Sequence, residues 1–359
     1  MIKKLVLKGS PREIGRIHGS EGKDEVFRSL ETYKKLFLGF KGINWTEAKE
    51  LALVHLKAIE EYDADLVEEM KGLAEGAGVD FEDILALNAR SEIALANYGN
   101  VFTDGCTAIS VSAPLSDITI IGQNWDWKAT QKESLLLLEI HQESKPIITM
   151  VTEGGIIGKI GFNSAGLGLC FNALLTDKKS NQVPIHLGLR SILNSSSLHE
   201  AISKIKGEQI ASAASVMIGM DDGTGKGMAL NIETSPYGID MVGESDGKLV
   251  HTNHVCSMEI KKKVKDMNEF AFDDSMIRKK RAEQLINTAY ARNQKIDESM
   301  FKTWLSDRFN EPNSINHYEN LNAPEHRRME TVFSIIMNLS ERKVFLSIGH
   351  PTEGSFEEI

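Results

Sequence analysis

Two polar runs carry residue types that could do chemistry together. Phe102-Thr103-Asp104-Gly105-Cys106-Thr107 is followed by Gly122-Gln123-Asn124-Trp125-Asp126-Trp127. A cysteine opening one β-strand and an Asn-x-Asp closing the next would set a thiol beside an amide and a carboxylate. Gly105 has no side chain to block attack on its carbonyl and lets the backbone take strained conformations. Attack there by the Cys106 thiol converts an amide to a thioester, and water then releases a new amino terminus. Cys106 would afterwards carry a nucleophile and an amine on one residue. An α-amino group titrates at about 7.7–8 and a thiol at about 8.5, so proton exchange between them is nearly balanced. The amine can then serve as general base and later protonate a leaving amine.

Attack on an acyl substrate creates an oxyanion that needs preorganised donors. The Asn253 side-chain amide, in His251-Thr252-Asn253-His254, is the candidate, helped by a backbone N–H. Asp126 would accept a hydrogen bond from the new α-ammonium, and Asn124 would orient the same amine. Thr107, Trp125, Trp127 and Ser334 are candidate substrate contacts, with core packing the alternative for the two tryptophans. Cys170 and Cys256 have no polar company of this kind and read as structural. His251 and His254 lack the spacing and the cysteine pair of a metal set, so no metal and no cofactor are expected. Gly223-Thr224-Gly225-Lys226-Gly227 departs from a phosphate loop at both ends and reads as a turn.

These residues need strands to hold them. Residues 12–98 read as helical, with Glu47–Ala58 and Ala64–Ala77 as clear stretches. From Cys106 the pattern changes to short β-branched runs punctuated by turns: Thr107–Val111, Ile118–Ile121, Leu135–Ile140, Ile147–Val151, Ile156–Phe162 and Leu167–Phe171. A helical patch at 184–206, with Ser197 as a cap, precedes strands at Ser215–Gly219, Met228–Glu233, Gly238–Val242 and Lys248–Asn253. Residues 273–308 return to helix, and Val332–Met337 and Lys343–Ile348 close the pattern as strands. This is an α+β arrangement of antiparallel sheets covered by helices. No long linker appears, so residues 1–359 are expected to form a single domain.

Bulk properties narrow the partners. The 359 residues carry a net charge of −10, which argues against nucleic acid. No run approaches the ~18 apolar residues of a membrane helix, and the first eight residues do not read as a signal peptide. Three cysteines without paired spacing fit a reducing cytoplasm.

Cys106-Thr107, Gly122-Gln123-Asn124-Trp125-Asp126, His251-Thr252-Asn253-His254 and Arg328-x-x-Thr331-x-x-Ser334-Ile335-Ile336-Met337 occur in this order. The set resembles the penicillin acyltransferase family, the C45 group of autoproteolytic peptidases within the N-terminal-nucleophile hydrolases. That resemblance covers most of the chain. It implies a four-layer αββα sandwich and a precursor cut between Gly105 and Cys106 into a 1–105 α fragment and a 106–359 β fragment that stay associated. It further implies that Arg328, with Arg327 beside it as the alternative, approaches the sulfur and favours the thiolate. Gln123 stands where the related choloylglycine hydrolases carry arginine, which sets a bile-salt-like substrate aside.

The expected activity is cleavage or transfer of the acyl group of a small-molecule linear amide through a Cys106 thioester. Hydrolysis is favoured slightly, because transfer needs an acceptor pocket for an acyl-CoA or amine co-substrate. Two rivals differ in class: an unprocessed binding protein on the same fold, and a metal-dependent amidase using His251, His254 and Asp126.

Overall fold

The computed structural model describes residues 2–94, 105–244, 246–323 and 328–359. Phe102, Thr103, Asp104 and Arg327 lie outside the described residues, as does the end of the helical span expected to reach residue 98.

The chain opens with β1 (Lys3–Lys8) and then seven helices. These are α1 (Pro11–Glu21), α2 (Lys23–Lys41), α3 (Trp45–Leu53), α4 (Leu56–Tyr62), α5 (Ala64–Ala77), α6 (Phe81–Asn88) and α7 (Arg90–Ala94). Capping boxes at Ser10 and Asn44 start α1 and α3. The single helix expected over Glu47–Ala58 breaks at Val54-His55. There His55 is buried and its Nδ1–H donates to the Gln182 carbonyl at 2.6 Å, a distant tie that overrides the local pattern.

The α1 and α5 helices approach at backbone contact. A Cβ on Gly15 would lie 1.9 Å from the Glu69 carbonyl oxygen, and one on Gly72 would lie 2.1 Å from that of Arg12. Gly15-x-x-x-Gly19 therefore meets Gly72-x-x-x-Gly76.

The strands after Cys106 are β2 (Thr107–Val111), β3 (Ile120–Trp127), β4 (Leu135–His141), β5 (Ile148–Glu153), β6 (Ile160–Asn163) and β7 (Leu167–Ala173). Next come α8 (Ile185–Leu193), α9 (Leu198–Ser203), β8 (Ala214–Met220), β9 (Met228–Ser235), β10 (Gly238–Met241) and β11 (Lys248–His251). The chain finishes with α10 (Met258–Lys261), α11 (Met276–Ala291), α12 (Glu298–Leu305), β12 (Glu330–Asn338), β13 (Lys343–Ile348) and β14 (Glu357–Glu358). The strand expected over Ile156–Phe162 shrinks to β6, because Gly155 turns with φ 92° and Gly158 packs against the His186 carbonyl.

Eight strands form one sheet in the order β1-β4-β5-β6-β7-β8-β9-β10, antiparallel except for the β1–β4 pair. Six form the other, β11-β2-β3-β12-β13-β14. The sheets face one another through β2 and β3 against β7. The first helices and α8 cover the outer face of the larger sheet, and α11 and α12 cover the smaller one. The result is the expected α+β sandwich in four layers, αββα.

Alternation along the inner strands separates two environments. Cys106, Ala108, Ile121 and Trp125 join the large core between the sheets, whereas Ile109, Val111 and Ile120 pack with Ala282, Phe301 and Trp304 beneath the helices.

Candidate active site

Strand register brings the site together. β2 pairs with β3 through Thr107↔Asn124 and Ala108↔Gln123, and β11 pairs with β2 through His251↔Ala108. Continued beyond the strand ends, the same register sets Asp126 opposite Gly105 and Asn253 opposite Cys106. A Cβ placed on Gly105 would indeed lie 3.0 Å from the Asp126 Cβ and 3.1 Å from its Oδ2, so this position has little room for a side chain.

One buried guanidinium, absent from the sequence reading, joins these residues. Arg278 projects from α11; its Nη1 donates to the Cys106 carbonyl at 2.7 Å and to Thr107 Oγ1 at 3.0 Å. Its Nη2 donates to Asn253 Oδ1 at 3.1 Å, and its Nε to Asp274 Oδ1 at 2.6 Å. Burial works against its charge, but Asp274, Asp126 and Cys106 outweigh burial and raise its pKa.

Asn253 is fixed from every side. Its N–H donates to Ser275 Oγ at 2.8 Å, its carbonyl accepts from Asn268 Nδ2 at 2.7 Å, and its Nδ2 donates to the Ala173 carbonyl at 3.2 Å. Ser275 ends a single π-turn (Ala271–Ser275) that runs directly into α11, so the widened turn grips the Asn253 loop. Asp126 is oriented by Thr331, whose Oγ1 donates to Oδ1 at 2.7 Å and accepts from the His317 N–H at 2.9 Å.

Several expectations are corrected. The Arg328 guanidinium donates to the carbonyls of Ala323 and Leu321, and the cation bonded to Cys106 is Arg278, on its carbonyl oxygen. Asn124 is a structural tie: its Nδ2 donates to the Leu305 and Ile315 carbonyls at 2.8 Å each, and its Oδ1 accepts from Ser334 Oγ at 2.6 Å. Ser334 and Thr107 lie in this same row under the helices and serve Asn124 and Arg278. Trp125 is core, stacked on Trp127 at 6.0 Å with the Lys159 ammonium 3.2 Å above its ring. Trp127 does line a cavity.

That cavity adjoins the site and is walled mainly by apolar side chains, among them Tyr33, Phe37, Trp127, Phe171 and Leu174, with Arg90, Ser91, Ser212, Asn253 and Asn268 as polar residues. Its walls come from both sides of the Gly105–Cys106 bond. Behind it, Glu153 accepts from Tyr33 Oη at 2.8 Å and pairs with Lys159, with Arg90 at 3.8 Å. Burial opposes ionisation of Glu153, yet Lys159 and Arg90 bring its pKa down to about 2.

Cys170 is buried and its thiol pKa is pushed up by burial, as a structural cysteine requires. Cys256 does have polar company: its Sγ lies 3.5 Å from His254 Nε2, and Glu233 and His251 stand beside it. Asp126, held by Thr331, is not part of that cluster, so His251, His254 and Asp126 do not form the metal set considered above.

A four-layer αββα sandwich with a cysteine entering an inner strand, beside an amide and a carboxylate, is the setting of an enzyme of amide hydrolysis or N-acyl transfer. Residues 115–353 match the family described as acyl-coenzyme A:6-aminopenicillanic acid acyl-transferase. The chain is also 34% identical over 352 residues to the acyl-coenzyme A:6-aminopenicillanic-acid-acyltransferase 40 kDa form of Emericella nidulans, covering 97% of this chain and 92% of that one. The chain belongs to this acyltransferase family. Among solved structures it is similar to a mutant conjugated bile acid hydrolase from Clostridium perfringens (12% identity, TM-score 0.44, 68% of this chain and 89% of that one). It is similar also to penicillin V acylase from Agrobacterium tumefaciens (12% identity, TM-score 0.44, 68% and 83%).

Proposed function

We propose that the chain cuts itself between Gly105 and Cys106 and that mature Cys106 takes the acyl group of a small-molecule linear amide as a thioester. Water or an amine then accepts the acyl group. The observation that carries this reading is the shared guanidinium: Arg278 holds both the Cys106 carbonyl and the Asn253 side chain.

In the precursor, the thiol adds to the Gly105 carbonyl, the Gly105–Cys106 C–N bond breaks, and the resulting thioester is hydrolysed. The released α-amino group then takes the thiol proton as general base. Asp126, already aligned by Thr331, accepts a hydrogen bond from the ammonium. Asn253 has its oxygen committed to Arg278 and so presents an Nδ2–H to the oxyanion. The positive charge of Arg278 favours the thiolate. The apolar cavity suits an apolar acyl group, and the relative's acyl-coenzyme A and 6-aminopenicillanic acid are the first candidates for donor and acceptor. Three free cysteines and no membrane-spanning helix among the described residues support a cytoplasmic setting.

The test is acid quenching during turnover of N-acyl amides of graded acyl length, followed by peptide mass mapping. An acyl adduct on Cys106 is expected, and it should disappear in Cys106→Ala. Turnover by the alanine variant, or an adduct elsewhere, contradicts the assignment.

A further inference from the structure

A second cluster lies where β9 of the large sheet meets β11 of the small one, on the segment that carries Asn253. Glu233 from β9, His251 from the end of β11 and Cys256 each offer one ligand atom, and the three atoms lie within 4.8 Å of one another. His251 Nε2 is 2.7 Å from Glu233 Oε1. We propose that Glu233, His251 and Cys256 form a binding site for a zinc-type divalent cation, with the fourth coordination position open to the adjoining cleft.

The donor set is the first argument. A thiolate, an imidazole and a carboxylate together suit zinc better than calcium or magnesium, which prefer oxygen alone. Spacing is the second. Zn–S of about 2.3 Å and Zn–N or Zn–O of about 2.0–2.2 Å imply ligand separations of about 3.3–3.6 Å in a tetrahedron. The His251–Glu233 pair, at 2.7 Å, therefore needs to open by about 0.6–0.9 Å.

The surrounding bonds are the third argument. Metal-binding histidines commonly donate their other ring N–H to a fixed acceptor. His251 Nδ1–H donates to the Thr252 carbonyl at 2.8 Å, which leaves Nε2 as the atom aimed into the cluster. The Glu233 oxygens are positioned by the N–H groups of Cys256 at 2.6 Å and Ser257 at 3.0 Å. His254 Nε2 lies 3.5 Å from the sulfur, and its Nδ1 is 2.8 Å from Ser275 Oγ, so the thiol has a neighbour fixed in the same manner. Access exists, because Cys256 is only partly buried and lines a cleft with Asn231, Lys248 and Lys279. A bound cation would tie both sheets to the loop between His251 and Cys256, and so steady Asn253 from outside the active site.

Titration of the full chain with Co²⁺, followed by displacement with Zn²⁺, tests this. A thiolate-to-cobalt charge-transfer absorption saturating at one equivalent is expected, lost in Cys256→Ser and kept in Cys106→Ala. Because it is kept in the uncut alanine variant, the result is independent of the proposed self-cleavage. Zn²⁺ should also slow alkylation of Cys256 at least tenfold in the unmodified protein, read by peptide mapping, which needs no variant. Absence of the absorption, its persistence in Cys256→Ser, or alkylation of Cys256 unaffected by zinc overturns the proposal.

Discussion

At the scale of single residues, Asn253 and Arg278 carry the proposed chemistry. If Asn253 supplies an oxyanion donor, Asn253→Ala should lower kcat by ~10²–10³ while KM moves little. Steady-state kinetics on any turned-over amide would check this, and an equal rise in KM would contradict it. Arg278→Ala leaves Asp274 buried without its partner, a change that costs about 3–5 kcal/mol; chemical denaturation should show it, together with loss of processing. Glu153 makes a pH-dependent prediction. Its folded pKa of about 2 lies below the ordinary 4.5, so its stabilisation is complete above pH 4.5 and is lost as pH falls toward 2. Glu153→Gln should be less stable at pH 7 and show a shallower acid limb in urea titrations between pH 4.5 and 2. The placement of Cys106, Asp126 and Asn253 at or just beyond strand ends was legible in the sequence, because register there follows from local alternation. Arg278 was not. Nothing in Asp274-Ser275-Met276-Ile277-Arg278 distinguishes a buried cation from a solvated one, although the i,i+4 acid–base pair was visible. Arg328 was chosen by resemblance alone and is spent on local carbonyls.

At the scale of elements, most strands were readable because β-branched runs are short and separated by turns. What was missed depends on distant partners. The α3–α4 break follows His55 to a carbonyl of the later chain, and Ile156 and Ile157 are apolar because they are buried, not because they are paired in a strand. The meeting of α1 and α5 is likewise a tertiary fact written in glycines that helix propensity alone disfavours. Gly72→Ala would place a Cβ 2.1 Å from the Arg12 carbonyl oxygen. The helices would have to separate, with a loss of about 1–3 kcal/mol or more despite alanine's better helix propensity. An unchanged or raised melting temperature would contradict that packing.

At the scale of the whole molecule, the segment before Cys106 is built into the fold rather than attached to it. β1 pairs along its full length with β4. Glu69 on α5 takes two hydrogen bonds from Arg190 on α8, at 2.8 and 2.9 Å, both side chains buried. Asn88 bonds the Gly155 carbonyl and the Ile157 N–H, and the cavity draws walls from α2, α7 and the later strands. Cleavage should therefore leave a single particle: native size-exclusion chromatography is expected to give one peak containing both fragments, separating only in denaturant. Self-cleavage that makes Cys106 an amino terminus is tested most directly by the denatured intact mass of freshly purified protein with N-terminal sequencing. Two chains are expected, the larger beginning Cys106-Thr107-Ala108, and one uncut chain in Cys106→Ala. A single full-length chain that persists in the unmodified protein after long incubation under reducing conditions would contradict the account.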